Sequence, residues 1–300
     1  ALEAPDAIVH AAADGHRRFS LAEVLQNSDP LVESAPHLLA PIDLQVVKAC
    51  GVTFVDSMIE RVIEEQCAGD PEKAQKVRGD IASALGGSLQ GIRPGSPRAA
   101  EVKEILIGQG IWSAYLEVGI GPDPEVFTKA PVLASVGYGA KVGIPDFSSW
   151  NNPEPELVLV VNSQGVAVGA TLGNDVNRRD VEGRSSLLLG KAKDNNASSA
   201  LGPFVRLFDA QFSIDSVAKA DIELEVFGED GFHLRGVNSV SQISRPLREL
   251  VAATWGTHHQ YPDGFALYTG TLFAPTQDRD TPGHGFTHHR GDRVVISSAQ

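Results

Sequence analysis

The feature that most constrains this chain is a run of carboxylates tied to strand-like sequence. From Pro153 to Val161 it reads Pro-Glu-Pro-Glu-Leu-Val-Leu-Val-Val, with Glu154 and Glu156 two apart at the head of an apolar, β-branched segment. Such a segment reads as a strand, and side chains two apart on a strand share a face. Both carboxylates therefore point the same way. A turn over Asn162 to Gly165 follows, and the chain returns from Val166 to Leu172 toward a loop holding Asp175. Three carboxylates drawn together repel unless a cation lies among them, and a hard divalent ion with oxygen ligands, Mg²⁺ or Mn²⁺, suits them. The same pattern also fits a solvated edge strand whose glutamates discourage aggregation. Spacing alone leaves both open.

Length and charge narrow the setting. At 300 residues and 42% hydrophobic, the chain has enough apolar sequence for one large domain, or one large and one small. A net charge of -13 argues against a polyanionic partner, because nucleic-acid binding is driven by neutralising phosphates. No run of residues is long and apolar enough to span a bilayer, and the start lacks the pattern of a signal peptide. Cys50 and Cys67 have no metal-site or redox spacing and read as reduced packing residues in helix-like segments. The expectation is a cytoplasmic protein without membrane or nucleic-acid partners.

Residues 1–39 read as a small leading module: residues 5–10 as a strand, then a short helix over Ser20 to Gln26 with Ser20 as its N-cap. Residues 40–300 form the main domain. A helical stretch runs from Val55 to about Ala84, with Met58, Ile59, Val62 and Ile63 at helical spacing. Turn-rich sequence from Gly86 to Pro97 precedes a helix over Arg98 to Gly108. Beyond Glu117 short apolar runs alternate with Gly, Pro, Asn and Asp, the texture of many short strands. The clean alternation up to Phe227 and the run from Phe232 predict a hairpin turning at Asp230-Gly231. A helix over Arg245 to Thr254 and a closing strand near Arg293 complete an α+β chain around a rolled, largely antiparallel sheet.

Four motifs occur in order: Pro-Glu-Pro-Glu at Pro153; Gly-Asn-Asp-Val-Asn-Arg-Arg-Asp-Val-Glu from Gly173 to Glu182; Lys-Ala-Lys-Asp-Asn-Asn through Ala-Leu-Gly-Pro from Lys191 to Pro203; and Thr-Gly-Thr at Thr269. Together they resemble the fumarylacetoacetate hydrolase superfamily, and within it the branch of 2-keto-3-deoxy sugar-acid (pentonate) dehydratases. The resemblance begins near Pro41 and is dense between Glu125 and Thr271. It implies a mixed β-roll and a homodimer or higher homo-oligomer. It also implies that Glu154, Glu156 and Asp175 hold Mg²⁺, with Mn²⁺ as the alternative, and that Lys193 and Thr271 face the substrate. Lys129 matches a lysine of the dehydratase branch. Gly270 beside Thr271 is expected to help hold a substrate carboxylate through its backbone N–H.

The proton-handling groups decide the reaction. A lysine partly desolvated beside a metal loses proton affinity, which makes Lys193, or Lys129, a base for the C3 proton of a 2-keto acid. Glu182, seven residues after Asp175, stands where hydrolase relatives commonly carry an amide, and a carboxylic acid there can protonate a departing hydroxyl. Its plainer role is an ion pair with Arg179 or Arg184; Arg179 is also a candidate for binding substrate. Glu125 and Glu117 are candidates for a fourth carboxylate. The hydrolases usually carry a water-activating His–Glu pair ahead of the metal motif, yet Trp112 to Pro153 contains no histidine. His258 and His259 read as loop residues, and His284, His288 and His289 lack a specific zinc spacing. The first reading is a Mg²⁺-dependent dehydratase of a 2-keto-3-deoxypentonate that yields 2,5-dioxopentanoate. The others are a hydrolase releasing pyruvate from 2,4-diketo acids, and a silent keto-acid-binding protein.

Overall fold

The structure, a computed structural model, describes residue 3, residues 19–68 apart from 30 and 33, residues 70, 73 and 89, residues 91–108, residue 110, and residues 112–271 and 277–299. The strand expected over residues 5–10 and the last part of the long helical stretch lie outside the described residues.

A six-stranded sheet carries the site. Its strands are β1 (Val46–Gly51), β2 (Glu125–Ala130), β4 (Pro155–Val161), β5 (Ala167–Asp175), β7 (Ser199–Leu207) and β10 (Phe265–Tyr268), in the order β2-β1-β10-β4-β5-β7. Only β1 and β10 run parallel; the other neighbours are antiparallel. The carboxylate-bearing β4 thus lies in the interior of the sheet, and all seven of its residues are buried. An edge strand would have left its backbone N–H and C=O groups open on one side. This strand has partners on both, which removes the edge-strand reading.

Burial on both faces explains the continuous apolar run. Leu157, Leu159 and Val161 pack against Ile222, Leu250 and Phe265 on one side. Val158 joins Val47, Leu201 and Tyr268 on the other. The turn to β5 is the expected one: Asn162 Oδ1 accepts hydrogen bonds from the N–H groups of Gln164 and Val166, and Gly165 takes φ +74. Asp175 closes β5 rather than lying in a loop beyond it, because pairing with Ser199 of β7 carries the ladder to that residue.

A second, three-stranded sheet has the order β11-β8-β9, from β8 (Asp221–Phe227), β9 (His233–Ser239) and β11 (Arg293–Ser297). The predicted hairpin joins β8 to β9, with Gly231 at φ +83. A two-stranded ribbon pairs β3 (Asn151–Asn152) with β6 (Asn177–Arg178), tying the residues before Glu154 to those after Asp175.

The helices beginning at Leu21, Val55, Pro97 and Leu247 follow their sequence signals, whereas the short ones beginning at Ala114, Arg179, Leu189 and Ile214 were not expected. Ser20 caps α1 (Leu21–Asn27) through its hydroxyl and the Glu23 N–H. Next come α2 (Val55–Gln66), α3 (Pro97–Gly108) and α4 (Ala114–Ile120). Met58, Val62 and Ile63 of α2 meet Val102, Leu116 and Trp150 in a separate core beside the sheet. Cys67 lies at the end of α2, but Cys50 lies in β1; a short apolar run does not by itself separate strand from helix. Both cysteines are free and buried.

Candidate active site

The site forms where the start of β4, the end of β5 and several helix ends converge. Ligand atoms of Glu154, Glu156 and Asp175, one from each, lie within 4.8 Å of one another, and all three residues are buried. Strand register brings them together: Pro155 faces Asn174 and Glu156 faces Gly173, so residues at the head of β4 meet the tail of β5. Asp175 N–H donates to the Glu154 carbonyl at 3.0 Å and locks that meeting point.

The three carboxylates differ in what balances them. Asp175 lies between two lysines, with Lys129 Nζ 2.8 Å from one oxygen and Lys193 Nζ 3.1 Å from the other. Burial pushes its proton affinity up, but the two ammonium groups outweigh burial and hold the carboxyl below the usual range. Glu154 is paired with Lys193 and with Arg61, each at 2.5 Å. Glu156 receives the Gly270 N–H at 2.7 Å and has no ion-pair partner among the described residues. Burial, then the charges of Asp175 and Glu154, raise its carboxyl well above the ordinary value. A buried carboxylate beside two others and without a cation of its own is what a hard divalent ion would satisfy. The residues present fit such an ion.

Lys193 and Lys129 divide the roles expected of them. Lys193 ends a short helix, α6 (Leu189–Lys193), and lines the pocket in front of the triad. Burial lowers its proton affinity, but Asp175 and Glu154 outweigh it, so Lys193 is held as an ammonium. The loss of proton affinity predicted from desolvation is reversed by two carboxylates in contact. Lys129 shows that loss, drawn down to about 8 mainly by burial. It does not line the pocket: besides Asp175 it donates to the Val176 carbonyl at 3.0 Å and Ser198 Oγ at 3.2 Å, fixing Asp175 from behind.

Glu182 ends a one-turn helix, α5 (Arg179–Glu182), and lines the same pocket. Its described ion pair is with neither Arg179 nor Arg184. Arg61 of α2 reaches Glu182 Oε2 with Nη1 at 3.1 Å. Arg179 stacks on the Trp150 ring at 4.3 Å and points an Nη to Glu60 at 3.4 Å, outside the pocket lining. Thr271 lines the pocket. The Gly270 N–H, expected toward a substrate carboxylate, goes to Glu156, and its φ of +97 and a Cβ that would overlap Thr53 Oγ1 admit only glycine comfortably.

Two pocket residues deserve more weight than their sequence gave them. Glu125 begins β2 opposite Gly51, where any Cβ would collide with its carboxylate. Burial, then the charge of Glu182, raises its carboxyl to about 7. Glu117 is a surface partner of Lys103 instead. Arg61 carried no family motif, but one signal existed: it falls three residues after Met58 and directly before Val62, on the buried stripe of its helix.

The chain is 31% identical over 156 residues to the 2-dehydro-3-deoxy-D-arabinonate dehydratase of Saccharolobus solfataricus. The chain resembles the 2-keto-3-deoxy sugar-acid dehydratases. The match spans 52% of this chain and 51% of that protein, about half of each. A solved structure of 2-keto-3-deoxy-D-arabinonate dehydratase complexed with magnesium and 2,5-dioxopentanoate shares the fold, with a TM-score of 0.64 at 22% identity, over 94% of this chain and 78% of that one. The oxaloacetate tautomerase YisK of Bacillus subtilis is 27% identical over 247 residues, 75% of this chain and 76% of that protein. No family model matches the chain. No helix among the described residues is long and apolar enough to cross a membrane.

Proposed function

We propose that the protein is a metal-dependent hydro-lyase that converts a 2-keto-3-deoxypentonate to 2,5-dioxopentanoate and water. The observation that carries the reading is one buried pocket holding a triad fit for a divalent ion, an ammonium, and two further carboxyls in unlike surroundings. Bound by Glu154, Glu156 and Asp175, Mg²⁺ would supply an electrophile for the carboxylate and keto oxygens of a 2-keto acid.

The chain's own groups can do the rest. Glu182, ion-paired with the Arg61 guanidinium, is the acceptor for the C3 proton. Glu125, with its proton held up to about 7 by burial, is the donor for the departing C4 hydroxyl, which leaves as water. Moving a C5 proton of the C3–C4 alkene to C3 gives an enol between C4 and C5, and loss of its O–H proton with protonation at C4 makes the terminal aldehyde. Lys193 stays an ammonium and offsets the negative charge that develops on the keto oxygen. Lys129 holds Asp175 in place, and Thr271 supplies a hydroxyl to the substrate. This ordering departs from the sequence expectation, which made Lys193 the base and Glu182 the acid. The support for reversing it is the pairing of each group.

The relatives support the same chemistry. One is named for dehydration of a 3-deoxy keto acid, another for tautomerisation of oxaloacetate, and both reactions begin by moving a proton at C3. In this reading the two larger sheets form a roll, residues 1–39 pack on a catalytic domain of residues 40–300, and the working form is a cytoplasmic homodimer. The test is incubation with a 2-keto-3-deoxypentonate and Mg²⁺. A new aldehyde without pyruvate, abolished by a chelator, is the expected result; pyruvate instead would establish the C–C hydrolase.

A further inference from the structure

Arg61 makes a buried double contact beside the metal triad. Its guanidinium spans two pocket carboxylates, with Nη2 on Glu154 Oε1 and Nη1 on Glu182 Oε2. The residue is 6% exposed, and both partners are more deeply buried. We propose that Arg61 is a positioning residue that sets the reach between the metal ligands and Glu182, and hence between the keto end of the substrate and the carbon that loses its proton. The inference rests on the function proposed above and adds a determinant drawn from none of the motifs.

Three observations support it. The two contacts come from two different Nη atoms of one planar group, so a single rigid unit sets the separation of the two carboxylates. Those carboxylates stand on different elements: Glu154 immediately precedes β4, and Glu182 ends the single turn of α5. A turn of four residues has little rigidity of its own. Its backbone is held by Tyr115, whose hydroxyl donates to the Glu182 carbonyl at 3.0 Å, and Arg61 pairs with the side chain. Finally, Arg61 sits on a helix whose other buried residues, Met58, Val62 and Ile63, are locked into a packed core, so its Cα is fixed. The span therefore runs from an anchored helix to both halves of the site.

Lysine cannot reproduce this. Its ammonium is a single point on a flexible stem and cannot hold two carboxylates at the spacing a fork imposes. The charge would survive in Arg61→Lys and the spacing would not. Loss of a geometric fit of this kind costs on the order of 10²-fold in rate.

The experiment compares Arg61→Lys and Arg61→Met with the parent in the full chain. Mg²⁺ affinity is read by calorimetry, C3 hydrogen exchange of pyruvate in D₂O by NMR, and kcat and KM on the 2-keto-3-deoxypentonate by aldehyde formation. Arg61→Lys is expected to bind Mg²⁺ within about threefold of the parent, to keep its KM, and to lose about 10²-fold in both exchange and kcat. If Mg²⁺ affinity falls in step with kcat, Arg61 merely supports Glu154 and the proposal is overturned. Parental exchange and kcat in Arg61→Lys would overturn it too, since charge alone would then suffice. Arg61→Met, which loses the charge as well, should melt lower; Arg61→Lys with a parental melting temperature and lost exchange excludes a folding defect as the cause. Exchange of pyruvate does not require the pentonate to be the true substrate. Lost exchange in the variant with no dehydration by the parent would therefore sink the dehydratase reading and leave Arg61's role standing.

Discussion

Among the described residues two clusters offer ligand atoms for a cation, and the buried one is built for an ion. Glu154, Glu156 and Asp175 lie buried at the heart of the six-stranded sheet. Asp230, Asp280 and His289 lie at the surface, beside the hairpin between β8 and β9. In both, ligand atoms fall within 4.8 Å of one another. At the surface the charges are answered from within: buried Arg279 pairs with Asp230 at 3.0 Å and with Asp292 at 2.6 Å, and His289 contacts Asp280 at 2.9 Å. The Phe232 N–H, with Arg279, holds the Asp230 carboxyl below its usual value. In the buried cluster Glu156 is pushed the opposite way, because burial and two neighbouring carboxylates act on it without a cation in contact. Proximity of carboxylates says little. What marks a metal site is buried charge left uncompensated.

That contrast breaks down if the clusters respond alike to mutation. Glu156→Ala or Asp175→Ala should abolish turnover and Mg²⁺ binding together, whereas Asp280→Ala should change neither; calorimetry and the aldehyde assay read both. Retained Mg²⁺-dependent turnover in either buried variant would remove that residue from the metal's shell. The roles within the pocket come next in size. Glu125→Gln keeps the shape and loses the proton, so dehydration should fall by about 10²–10⁴-fold while C3 exchange of pyruvate persists. Glu182→Gln should lose both. The reverse pattern would restore Glu182 as the acid.

Stability separates buried from exposed ion pairs more gently. Lys129→Met leaves Asp175 short of a buried partner and should cost about 3–5 kcal/mol in denaturant unfolding. Arg248→Met, which breaks an exposed pair with Asp215, should cost less than about 1 kcal/mol. Equal losses would mean that burial does not set the energetics of these pairs. The remaining effect is one of pH. Burial pushes the imidazole of His288, whose Nδ1 meets Asn151 Oδ1 at 2.9 Å, down to about 4. An unfolded histidine takes up its proton near pH 6.5. The fold thus favours the neutral ring: its contribution is complete above about pH 6.5 and declines as pH falls toward 4, by at most ~3 kcal/mol. Denaturation between pH 4 and 7 should show that slope and lose most of it in His288→Asn; an unchanged slope would assign it to other groups.

Much of the architecture was legible because local chemistry and tertiary fate agree there. The Asn162–Gly165 turn, the Asp230-Gly231 hairpin, the Ser20 cap and the helix at Leu247–Thr254 each follow from side chains acting within a few residues of themselves. Cys50 and Asp175 were misplaced locally because strand pairing, a long-range choice, decided them.

The site divides along the same line. The two-residue spacing of Glu154 and Glu156, with a return strand leading toward Asp175, determined in sequence that the two glutamates share a face and that Asp175 comes back near them, since strand geometry fixes which side chains share a face. The tertiary structure alone decided how they are balanced. Arg61 reaches Glu154 across 93 residues of chain, and Lys129 stands 46 positions before the Asp175 it holds. Whether Lys193 gains or loses its proton depends on which of burial and two neighbouring carboxylates prevails, a contest of distances that no spacing along the chain encodes.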